Sequence, residues 1–232
     1  MCILCPDTPP EKATSKQKGG MQNTMIGYQN NPNKFQVDLK DACCKDPLCC
    51  CIGGICAVDG CSACWARKTV LETKLNGIDD FLCCQGYIGG CACIKPAECC
   101  AGSPVGLCLE GCCCPVLSIS IARIHIMDLQ QLQPDPMDYQ IIQCSNFLQF
   151  VSCICNIIAI FVEELREAAA ILDCIADMFT LSVAGCMIAQ LNQEIKYIKS
   201  TAAGGNPSFV VAQPVVMGQN VGAPPKGEEM ER

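Results

Sequence analysis

Apolar positions dominate residues 137–199. Ile141 to Val162 is a run of 22 residues without a formal charge, about the length that crosses a hydrocarbon core of ~30 Å. Glu163-Glu164-Leu165-Arg166-Glu167 interrupts it, and Ala168 to Ala189 is apolar again apart from Asp173, Asp177, Thr180 and Ser182. This pattern predicts two helices about a charged break, a helical hairpin that either lies in a membrane or forms a buried core. Ser145, Asn146, Gln149, Ser152 and Asn156 punctuate the first helix. Asn146 and Gln149 are three apart and share a face, which suits packing on another helix.

The pattern is weaker upstream. Between 116 and 133, Leu117, Ile119 and Ile121 alternate like a strand, while Leu117, Ile121, Ile124 and Asp128 fit a helix face nearly as well. Periodicity alone leaves both readings open. Pro134-Asp135-Pro136 stops whatever precedes it. Over 65–82, Val70, Leu71, Lys74, Leu75 and Ile78 predict a short amphipathic helix, with Arg67, Lys68 and Glu72 mostly outside and Gly77 as a break.

Two segments, 43–64 and 83–114, replace periodicity with cysteine and glycine. Glycine at that density favours short pieces and tight turns. Both ends of the chain, 1–36 and 200–232, mix Pro, Gly, Asn, Gln and charge, and are expected to be disordered. The chain therefore divides into a tail over 1–36, a cysteine- and glycine-rich region over 37–107, a helical region over 108–199 and a second tail over 200–232. The expected fold is mainly α, with an irregular cysteine-rich N-terminal half followed by the apolar hairpin.

Composition narrows the function. Twenty-five of 232 residues are cysteine, and the formal net charge is −7. Nucleic acid is excluded as a partner, because its phosphates demand clustered Lys and Arg. Membrane lipid is the expected partner, engaged through hydrophobicity rather than charge, with a homo-oligomer or larger assembly as a second kind of contact. The first ten residues lack a basic n-region and an apolar core, so no secretory signal is expected. The thiols are then expected to face the cytoplasm, where dense cysteine means metal binding, acylation or packing.

Cys108, Cys112, Cys113 and Cys114 are the densest thiol group and the candidate ligands for zinc or another soft metal. Buried inert thiols, lipidation and redox modification are the alternatives. Cys2 and Cys5 are candidate lipidation sites, or half of a zinc site. Cys61-Ser-Ala-Cys64 has redox spacing without the surrounding βαβ pattern. Asp173 and Asp177 lie one turn apart in an apolar run, a candidate cation path, or else they face Arg166 or Lys196 or line the polar side of an amphipathic helix. His125 is the only histidine, and no nucleophile elbow, phosphate loop or zincin helix accompanies it. Enzymatic activity is not expected.

Cys108-Leu109, four residues and Cys114-Pro115 resemble the C-L-x4-C-P-C signature of the placenta-specific gene 8 family, which includes cornifelin and the plant cadmium-resistance proteins. Val116 stands where the last cysteine of that signature would be. Asp177-Met178-Phe179-Thr180-Leu181, then Cys186, Gln190 and Glu194-Ile195, is similar to the family's closing segment, with Ser182 and Val183 replacing a thiol pair. The resemblance covers approximately 108–199. It implies a small, non-enzymatic, membrane-associated protein linked to divalent-metal homeostasis or transport, with Cys108, Cys114 and Pro115 in the functional segment. A structural protein whose thiols cross-link or pack it in a larger complex is the alternative.

Overall fold

The computed structural model describes Tyr28 and residues 31–73, 76–87 and 100–203. Cys2, Cys5, Cys91, Cys93 and Cys99 lie outside these residues, as does most of both expected tails. The fold is mainly α, a cysteine-rich N-terminal half of short helices followed by an apolar hairpin. Helices α1 (Leu39–Lys45), α2 (Pro47–Ile55) and α3 (Cys61–Leu71) come first, and 3-10 turns follow at Gly77–Asp80 and Cys83–Gly86. Then come α4 (Pro104–Cys113), α5 (Pro115–Gln130), α6 (Pro136–Phe161) and α7 (Arg166–Ala203).

Proline begins α2, α4, α5 and α6, a position where the missing N–H costs no helical hydrogen bond. Asp46, Ser103 and Asp135 cap three of these by accepting from Cys49, Gly106 and Met137 backbone N–H groups. α4 and α5 meet at Cys114-Pro115 with a bend of 119°.

α5 is the axis of the folded head. Every residue from Ser118 to Met127 is buried, so it has no polar face, and neither a helical nor a strand period could stand out in its sequence. Its left-handed end at Gln131 leads into Leu132–Gln133, which pairs in parallel with Asn33–Lys34. Tyr28 and Tyr87 both donate to the Asp128 carboxylate, and burial followed by that carboxylate raises the pKa of both hydroxyls. Tyr28 and Phe35 belong to the main core, so the end of the expected N-terminal tail is packed against the head.

Arg67, expected on the outside of its helix, is instead fully buried. Its Nε donates to Glu110 at 2.9 Å, Nη2 donates to the Leu82 carbonyl and the Gln85 side chain, and the guanidinium lies over the Phe81 ring. Deeper in the head, Arg123 pairs with Asp138 and donates to Gln190 at 2.8 Å. These groups tie α3 to α4 and α5 to α6 and α7.

The hairpin follows the predicted break. α6 has 26 residues, about 39 Å at ~1.5 Å per residue, and the 3-10 turn Glu163–Leu165 carries the charges to its tip. Beyond the head, many large apolar side chains are exposed, with Asn156 and Asp177 also exposed beside the seam. Phe147, Phe150, Ile154, Ile157, Ile160 and Phe161 on α6, and Ile171, Ile175 and Met178 on α7, are all exposed, Phe161 to 82%. Both helices are long and apolar enough to cross a membrane.

Candidate metal centres

Three sulfurs meet where the head joins the hairpin. α1 carries Cys43, α2 carries Cys50 and α7 carries Cys186, and their sulfur atoms all lie within 4.8 Å of one another. Cys186 Sγ is 2.9 Å from Cys43 Sγ and 3.9 Å from Cys50 Sγ. Cys43 and Cys50 are joined as a disulfide. Ala42 and Ala189 are packed against Cys50 in the same small cluster, with Val37 beside them.

Glycine makes this approach feasible. A Cβ on Gly54 would sit 2.9 Å from the Leu181 carbonyl oxygen, one on Gly53 would sit 2.8 Å from Ile188, and one on Gly185 would collide with the Cys50 carbonyl. The α2–α7 contact therefore needs bare backbone on both sides. One turn further on, Asp46 accepts from Lys196 Nζ, Asn192 and Gln193, each at 3.1 Å. The hydrogen bond from Lys196 holds the Asp46 carboxyl below its usual range. The chemistry of the donor set is all sulfur, and reduced to thiolates it suits a soft ion.

A second cluster, Cys83, Cys84 and Glu110, has ligand atoms equally close together. Its carboxylate is already engaged. Glu110 accepts from Arg67, from Ser118 Oγ at 3.1 Å and from the Cys84 backbone N–H at 2.7 Å. Burial, then Glu110, pushes the Cys84 thiol up to about 12. A cation here would compete with a buried guanidinium for the same oxygens, so the cluster reads as a structural knot.

The sequence-derived ligands divide. Cys108 and Cys112 lie one turn apart on α4 and approach Cys64 of α3, whose thiol is pushed up to about 12 by burial and then by these two neighbours. Gly60 turns the chain there with φ +73°, and a Cβ on it would overlap Gly111 and Cys112. Cys113 ends α4, Cys114 forms the bend, and both are exposed. Among the described residues the four do not gather into one compact ligand group. Cys61 begins α3 and is exposed. His125 is buried within α5.

Asp173 and Asp177 face α6. Asp173 accepts from Ser152 Oγ at 2.6 Å and Asn156 Nδ2 at 3.2 Å, and Asp177 accepts from Gln149 Nε2 at 3.0 Å. Gln149 also donates to Thr180, which pairs with Ser145 at 3.0 Å. The polar residues that punctuate the apolar runs thus form a seam between the two helices.

The cluster of Cys43, Cys50 and Cys186 was not legible as a site. Its members are separated by 7, 136 and 143 residues, and spacing rules read only local ligand pairs. Val116 lines a small cavity with Ser145, Thr180, Val183 and Met187. No family model, curated protein or solved structure matches this chain.

Proposed function

We propose that this protein is a non-enzymatic, cysteine-rich membrane protein that holds soft metal ions at its thiols and serves metal homeostasis or transport. The observation that carries this reading is the all-sulfur cluster of Cys43, Cys50 and Cys186, set where the head meets the hairpin. The hairpin supports the membrane part. It is apolar outside and polar along its seam, an arrangement that is stable in hydrocarbon and costly in water. Its charged tip would emerge at the far face of the bilayer, since α6 exceeds the ~30 Å core.

The thiol-rich head then faces the cytoplasm. A reducing medium on that side would keep its thiols available as metal ligands. Alkaline carbonate extraction tests embedding: retention in the pellet is expected, and full release into the wash overturns it. Elemental analysis of protein purified under reducing conditions tests metal. Bound zinc, copper or cadmium that falls in Cys186→Ser is expected, and metal-free protein overturns the reading.

The alternative is a structural protein whose many exposed thiols cross-link or pack it within a larger assembly. Thiol counting on freshly isolated protein separates the two. Mostly free or metal-bound thiols fit the first, and mostly disulfides fit the second.

A further inference from the structure

We propose that Cys43, Cys50 and Cys186 form a copper(I) site that the Cys43–Cys50 disulfide closes. The inference rests on the soft-metal reading and names the ion and its control. It starts from the number of donors. Among the described residues no fourth cysteine, histidine or carboxylate comes within 4.8 Å of all three sulfurs. Cys49 packs beside the cluster, yet neither its sulfur nor that of Cys44 lies within 4.8 Å of all three.

Structural zinc sites take four ligands in a tetrahedron. Hard ions need oxygen, and the wall here is Ala42, Ala189 and Val37. Thiolate donors, an apolar wall and low coordination select copper(I). The frame is preorganised, because glycine contacts between α2 and α7 hold Cys50 and Cys186 with little room for adjustment.

Two of the three ligands are also the two halves of a disulfide. Disulfide and metal cannot share these atoms, so oxidation and copper binding exclude each other. Reduction by a dithiol adds two electrons and two protons and opens Cys43 and Cys50. Copper(I) then binds, and each thiol that becomes a thiolate releases one proton. In the reverse direction glutathione disulfide is the oxidant. The Cys43 and Cys50 thiolates form their S–S bond, the S–S bond of glutathione breaks, and two glutathione thiolates leave. The copper stays in its +1 state and passes to a glutathione thiolate. The site would release its ion when the thiol pool is oxidised, at the junction between head and membrane.

The test uses the full chain in detergent. Reduced wild type, Cys186→Ser, Cys43→Ser and the exposed control Cys153→Ser are titrated with copper(I) against a chromophoric copper(I) chelator, and separately with zinc against a zinc indicator. Each variant is first matched to wild type by circular dichroism. Wild type and Cys153→Ser are expected to retain one copper(I) that both cluster variants lose, with X-ray absorption counting three sulfurs. Incubation with glutathione disulfide is expected to release that copper and to remove two thiols from the count. Zinc or cadmium bound in its place, dependent on Cys186 and with four sulfurs, overturns the copper assignment while sparing the soft-metal reading. Copper that stays bound after Cys43 and Cys50 oxidise overturns the switch. Absence of any Cys186-dependent metal overturns both.

Discussion

Arg67 and Glu110 show how far one charged pair governs the head. The guanidinium is fully buried, and the carboxylate also receives Ser118 and the Cys84 backbone. Removing one partner leaves an uncompensated buried charge, which costs about 3–5 kcal/mol. Arg67→Met is therefore expected to lower stability by about that amount in denaturant melts, and adding Glu110→Leu to recover a large part of it. Asp46 sets a pH limit. Its pKa is lowered in the fold by Lys196, so its contribution is complete above the ordinary carboxylate range and fades as pH falls through the lower folded value. The stability difference between wild type and Asp46→Asn is expected to be largest near neutrality and to shrink in acid. A difference that grows on acidification would contradict this. Local reading of the sequence missed Arg67 for a definable reason. A polar residue at an outward helical position looks the same whether water or a carboxylate 43 positions away receives it.

At the scale of elements, the contact between α2 and α7 decides where the sulfurs stand. Gly54→Ala would place a methyl 2.9 Å from the Leu181 carbonyl, where backbone must move. Overpacking of this kind costs about 1–3 kcal/mol. The same shift is expected to part Cys50 from Cys186 and abolish cluster-dependent metal binding, measured by the copper titration. The hairpin and its break were readable from charge and run length, because a long apolar helix announces itself without help from the rest of the molecule. The helix α5 was not, since burial on every side erases periodicity. The polar seam was partly readable. Gln149 does reach the neighbouring helix, and Asp173 and Asp177 lie on a polar side of α7 that pairs with Ser152, Asn156 and Gln149 rather than with Arg166 or Lys196.

The whole molecule is a polar-stitched head carrying a hairpin turned inside out. Each arginine placed on the outer face near the centre of a spanning helix opposes insertion by about 2.5–3.5 kcal/mol. Ile154→Arg with Ile157→Arg is expected to move the protein from the carbonate pellet toward the wash. Phe147→Leu, which keeps the surface apolar, is expected to leave it in place.

The sequence by itself determined the helical class, the hairpin with its charged tip and the abundance of thiols, because run length, charge and composition are local quantities. It also drew attention to Cys108 and Cys112, which lie one helical turn apart beside Cys64. Tertiary structure alone decided which thiols became a cluster. Cys43, Cys50 and Cys186 meet through the approach of three helices, and that approach depends on the absence of side chains at Gly53, Gly54 and Gly185. A thiol cluster spread over 143 residues leaves no period or spacing to read, since its geometry exists only after the helices have packed.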